Sequence, residues 1–217
     1  MRWVPVPGIG AGVWEPGMDL GAYLDRLLIG EGHLWAQART WDPEGVFSTV
    51  PAVGTVLLGW FAGEWLRSGR PPAERVGWML AAGAAAVALG QAWGLVFPIN
   101  KPLWTSSYVL FTGGLALIAL ALCHWVVDLR RVRWWTPPFV VLGVNAITAF
   151  FLSSLMARVL VLLPGPGGDP LKSWIYERIL LPPLTPVNAS LAFALAYVAL
   201  WVGAMWVLHR RRIFIRI

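Results

Sequence analysis

Cysteine and charge are scarce in this sequence. A single cysteine, Cys123, in 217 residues excludes an intrachain disulfide and any cysteine-rich metal site. Charged residues make up only 13%, against ~25% in a typical soluble domain, while hydrophobic residues reach 58%. No low-complexity tract and no repeat of fixed period is found. Histidines and carboxylates nowhere recur at metal-ligand spacing, so no metal is expected. The net charge of +6 sits in short clusters between apolar runs. That distribution suits a membrane-topology signal rather than a nucleic-acid groove, so no nucleic-acid partner is expected.

What the chain does have is long apolar runs. Five of them, at about 46–66, 76–97, 105–127, 138–163 and 187–208, reach the ~20 residues that cross a ~30 Å hydrocarbon core at 1.5 Å per residue. They predict an all-α, multi-pass transmembrane bundle over residues 46–208. An extracytoplasmic loop region (1–45) precedes it and a basic tail (209–217) follows. In the first run, Asp42 is expected to cap the helix with Pro43 in its first turn. Pro51 is expected to kink that helix, and Gly59 and Gly63 form a GxxxG pair for close approach of another helix. The fourth run is long enough to tilt. Leu20–Leu28 reads as a short amphipathic helix lying at the interface, and residues 171–181 as another short helix after a Gly/Pro turn. Many of the fifteen tryptophans stand where apolar runs end, as interface belts require.

Lys and Arg give the orientation. Arg67, Arg70, Arg75, Arg130, Arg131, Arg133, Arg210, Arg211, Arg212 and Arg216 fall in alternate segments. The other segments hold Arg2, Arg26, Arg39, Lys101, Lys172 and Arg178, and Arg158 lies near the outer end of the fourth run. The positive-inside rule therefore predicts a cytoplasmic C-terminus and an outside N-terminus. Nothing in the sequence would carry 45 residues with six acidic groups across a membrane, so the chain is expected to be the C-terminal part of something longer. The Ala/Gly/Arg/Trp-rich composition suggests a bacterial plasma membrane.

Several stretches carry a family resemblance: YLDRLLIGEGHLW (23–35), DPEG (42–45), PINKPLWTSSYV (98–109), GVNAI (143–147) and RRIF (211–214). In this order they resemble the heparan-α-glucosaminide N-acetyltransferase family over nearly the whole chain. The resemblance implies a multi-pass membrane acyltransferase that moves acetyl from cytosolic acetyl-CoA, as co-substrate, to a glucosamine amine across the membrane. It also implies an N-terminal half bearing the family's catalytic histidine, which no residue of this chain replaces. That half, or a homo-oligomer, is an expected partner, with membrane lipid and an amino-sugar or glycan substrate. The alternative class is a non-catalytic multi-pass protein, transporter-like or a scaffold.

Each candidate residue has two readings. His33 and Asp42 could act as base or as sugar-orienting groups in acetyl transfer, and Glu44 could bind substrate. Equally, His33 could bond a loop, Asp42 cap a helix and Glu44 face its dipole. Asn100, Lys101, Trp104 and Ser106 open the third run, where helix N–H groups, a cation and an aromatic face would suit an acidic glycan. A tight loop capped by Thr105 or Ser106, with Trp104 and Lys101 as interface anchors, is the plain alternative. Asn145 could line a cavity for a cofactor or join helices by hydrogen bonds, and Gln91, Ser153 and Ser154 are expected to face other helices. His124 and Asp128, four apart, form a local pair beside Arg130 and Arg131. That cluster suits either CoA phosphates or an ordinary cytoplasmic anchor, and Arg210–Arg212 suit anionic lipid.

Overall fold

The computed structural model describes residues 3–215. Arg2 and Arg216, used above for the charge asymmetry, lie outside them. The described residues are helical and contain no strand beyond two isolated bridges, Val6–Gly10 and Pro164–Pro170. The chain divides between Arg131 and Val132 into two compact units.

The first unit holds α1 (Leu20–Ile29), α2 (Val46–Arg67), α3 (Pro72–Gly94) and α4 (Ser106–His124). A π-helical turn, Trp125–Leu129, continues α4. Pro72 opens α3, where a missing N–H costs nothing, and Pro51 sits inside α2 as expected. The tightest contact joins α3 to α4. A Cβ on Gly83 would come within 2.7 Å of Ile118 Cγ1, and one on Gly114 within 2.7 Å of the Gly83 carbonyl oxygen. Gly90 meets Phe111 in the same way. These glycines let two backbones touch, and Val76, Met79, Val109 and Ala121 fill the space around them. The GxxxG pair of α2 does not take this role in the unit: nothing lies within 4 Å of a Cβ on Gly59 or Gly63. Instead α2 meets α4 through Gly54 against Val109 and Leu58 against Gly113. Gln91, expected between helices, is exposed.

The second unit holds α5 (Pro137–Val144), α6 (Ala146–Leu162), α7 (Leu171–Ile175) and α8 (Pro186–Arg210). A π-helical turn, Tyr176–Leu180, continues α7, completing the short helix expected at 171–181. The fourth apolar run is not one tilted helix. It breaks at Asn145, with α5 and α6 bent by 85°. The physical reason is the tail: buried Asn145 donates Nδ2–H to the Ile213 carbonyl (3.2 Å), and its Oδ1 accepts the Ile215 N–H (2.9 Å). Its backbone leaves the helical region (φ −127°, ψ 37°) to do so. Tyr197 of α8 adds a bond from its hydroxyl to the Ser153 carbonyl, 2.5 Å, and Ser153 Oγ bonds within its own helix.

Among the described residues, four helices are long and apolar enough to cross a membrane, and a fifth span is formed if the bent pair counts as one. Their faces are largely uncovered by the protein itself, as lipid-facing surfaces are; α2 has no buried residue over 22 positions. The molecule is an all-α integral membrane protein.

Candidate functional site

His33 follows the end of α1, and the other functional candidates of the first unit lie just before or at the starts of α2 and α4. Asp19 caps α1: its Oδ1 accepts the N–H groups of Gly21 (2.7 Å) and Ala22 (3.1 Å). The buried face of α1 is Gly21, Ala22 and Asp25, while Leu27 and Leu28 are exposed. Small residues on that face let α1 lie close to the start of α2. There Asp25 Oδ1 accepts the Phe47 N–H at 3.2 Å. An acid from another helix therefore serves the first turn of α2.

This corrects the expectation for Asp42 and Pro43. The helix starts at Val46 with Gly45 as its cap residue, so both lie upstream of it. Asp42 Oδ1 instead accepts the Glu44 N–H (2.8 Å), closing a turn of the Asx kind. Gly45 is buried, and any Cβ there would run into the Asp25 carboxylate, which leaves no room for a larger residue with a capping side chain. Burial pushes the Asp25 carboxyl above its ordinary value of 3.8, against the lowering effect of the Phe47 and Val46 N–H groups, and the charges of Asp19 and Asp42 push the same way. Arg26 supplies no counter-charge; its Nη1 donates to the carbonyls of Gly17 (2.8 Å) and Thr40.

Asp19, Asp25, Trp41, Asp42 and Ser48 line a small cavity of ≈ 20 Å³, which Phe47 and Leu103 also line. Phe47 and Leu103 also line a larger cavity of ≈ 420 Å³ with Pro51, Phe97, Trp104, Thr105 and Ser106. An acidic compartment and an aromatic compartment thus adjoin. The second is shaped by the Asn100–Ser107 loop. Thr105 caps α4 by accepting the Tyr108 N–H, as expected, and donates to the Pro98 carbonyl at 2.9 Å. Trp104 is held at φ +48°, a left-handed conformation costly for a bulky residue, with its Nε1 donating to Thr55 Oγ1 at 3.2 Å.

The candidates divide accordingly. Asp42, Trp104 and Ser106 line the two compartments. Asn100 is occupied in shaping the loop: Oδ1 accepts the Leu103 N–H (3.2 Å) and Nδ2 donates to the Trp14 carbonyl (3.3 Å). His33, Glu44 and Lys101 are exposed and line neither compartment, and His33 Nδ1 lies 3.1 Å from the Ile29 carbonyl oxygen. Asn145 belongs to the second unit and holds its tail. Asp19 and Asp25 were missed. An Asp directly before an amphipathic run is the signature of a cap, and a lone acid on the small-residue face of α1 marked the second.

Among the described residues, no group of histidine, cysteine and carboxylate side chains could hold a metal ion. At the other end of α4, His124 Nδ1 and Asp128 Oδ2 are 2.6 Å apart and the Arg130 guanidinium lies 5.1 Å above the Trp125 ring.

No protein-family model matches the chain. Two curated proteins do. A heparan-alpha-glucosaminide N-acetyltransferase of Mus musculus is 27% identical over 244 aligned positions, covering 99% of this chain and 35% of that protein. One of Homo sapiens is 26% identical over 243 positions, with 99% and 34% covered. The chain spans about a third of the length of the curated relatives it matches. Along nearly its whole length, this chain is similar to the heparan-alpha-glucosaminide N-acetyltransferases, in keeping with the resemblance noted in YLDRLLIGEGHLW, DPEG and PINKPLWTSSYV.

Proposed function

We propose that this protein takes part in acetyl transfer from cytosolic acetyl-CoA to the amine of a glucosamine-type sugar across a membrane. The observation that carries the reading is similarity to N-acetyltransferases along 99% of the chain. In the net reaction the amine nitrogen bonds the acetyl carbonyl carbon, the carbon–sulfur bond breaks, and the amine proton, taken up by a base, passes to the sulfur of CoA, which leaves as its thiol. In this reading the chain corresponds to a C-terminal portion and supplies the acid–aromatic substrate end, with Trp104 as a face for a sugar ring and α4's first turn for its hydroxyls. His33 is exposed and outside both compartments, which supports a catalytic base from an upstream half or a partner chain. The Lys/Arg asymmetry supports an outside position for this end and a cytoplasmic C-terminus, and the composition supports a bacterial plasma membrane.

The test is transfer from labelled acetyl-CoA to glucosamine in membranes carrying this chain, with and without an upstream half. Activity only with both is expected, and Trp104→Ala is then expected to reduce it more than His33→Ala. Activity of this chain alone would place the base within it. The 85° break at Asn145 favours a second reading, since broken spans line binding sites in transporters. Inactivity in both preparations would leave that one ahead.

A further inference from the structure

The acidic compartment has an unfilled requirement. Asp19 is 2% exposed and its Oδ1 is used by the α1 cap, but Oδ2 is buried and has no hydrogen-bond partner. Asp25, 3% exposed, and Asp42 share its cavity, and among the described residues no cationic side chain lines it. The N-termini of α1 and α2 favour negative charge here, which explains why carboxylates are tolerated. Neither helix donates to Asp19 Oδ2. A buried carboxylate oxygen without a donor is costly, so the site calls for a donor from outside the chain.

Size and chemistry narrow that donor. At ≈ 20 Å³ the cavity admits one group of about the size of water. A planar guanidinium or a quaternary ammonium is too large. The carboxylates are not disposed to hold a metal ion. A primary ammonium fits: it is compact, carries the compensating charge and has three donors for several carboxylates. Trp41 also lines the cavity, and its ring is of the kind that attracts a cation. We infer that this cavity is a recognition site for a primary ammonium group, with Asp19 Oδ2 as its buried acceptor and Asp42 as a second. The substituent carrying the ammonium faces outward, since the cavity has room for the ammonium alone.

Such a site selects charged amines over amides. Acylation removes the charge and adds a group the cavity cannot hold, so an N-acetylated molecule is released from it. Which molecule carries the ammonium rests on the acetyl-transfer reading; the binding itself does not.

The experiment uses the full chain in detergent and follows the NMR line width of 13C-methylammonium, with tetramethylammonium and sodium as competitors. Wild type is expected to broaden the methylammonium line, with neither competitor displacing it at equal concentration. Asp19→Asn keeps the capping oxygen and removes the charge, and is expected to weaken binding at least about tenfold, the scale of one charge-assisted hydrogen bond. Asp42→Asn is the second variant and decides the matter should Asp19→Asn lose its helical circular dichroism. Equal broadening by wild type and the folded variant, or displacement by tetramethylammonium or sodium, overturns the inference. Inactivity both with and without the upstream half, while the chain still broadens the methylammonium line, would sink the proposed function and leave this site standing.

Discussion

Burying Asp25 removes a carboxylate from water, yet the same side chain satisfies the Phe47 N–H at the start of α2. The two effects separate by substitution. Asp25→Asn keeps an acceptor oxygen and removes the charge, so at neutral pH its unfolding temperature is expected to equal or exceed that of wild type. Asp25→Ala loses the acceptor and is expected to cost about 1–2 kcal/mol, the scale of a lost cap. The pH dependence has a definite sign. The folded protein holds the Asp25 proton more tightly than the unfolded chain, whose ordinary value is 3.8. This group's contribution to stability is therefore fully present below about that value and is lost as pH rises through the higher folded one. Thermal unfolding of wild type and Asp25→Asn, from the carboxylate range to neutrality, should show that decline in wild type alone. At this scale the sequence was legible for Thr105, whose Thr-Ser-Ser context announces a cap, and illegible for Asp42. Asp42 had the right residue type for a cap, but the first turn is set by what fits around Gly45, where Asp25 already stands.

Helices in this protein approach one another through glycines, and which glycines do so is a packing decision. Gly114→Ala would press a methyl group against the Gly83 carbonyl oxygen and the Val87 nitrogen, and is expected to cost about 1–3 kcal/mol. Gly59→Ala and Gly63→Ala meet nothing and should leave the first unit as stable or slightly more so, since Ala favours helix over Gly by about 1 kcal/mol. Denaturant unfolding of the three variants would check the contrast; equal losses in all three would contradict the assignment of the contact to α3 and α4. The break at Asn145 is likewise an element-level feature. Asn145→Ala removes a donor and an acceptor from the tail, with an expected loss of about 1–3 kcal/mol and of hydrogen-exchange protection at the Ile215 amide. The run from Pro138 to Leu163 gave no warning of it, because an apolar run states how much chain can enter lipid and not whether the chain stays straight.

For the molecule as a whole, the charge asymmetry predicts sidedness that labelling can measure. With the exposed Cys123 replaced by serine, an impermeant maleimide added outside sealed cells is expected to label Lys101→Cys and not Ser68→Cys. The reverse pattern would invert the orientation and remove the acid–aromatic end from the outside. Membrane residence and helical class were readable from the sequence because transfer of apolar residues into lipid is nearly additive along the chain and needs no knowledge of neighbours. The family likeness was readable for a related reason, since it rests on short ordered stretches. What only the tertiary structure decided are the pairings between distant residues: Asp25 with Phe47 across 22 positions, and Asn145 with Ile213 and Ile215 across 68 and 70. Those bonds depend on which helix faces come together, and composition along the chain carries no record of that.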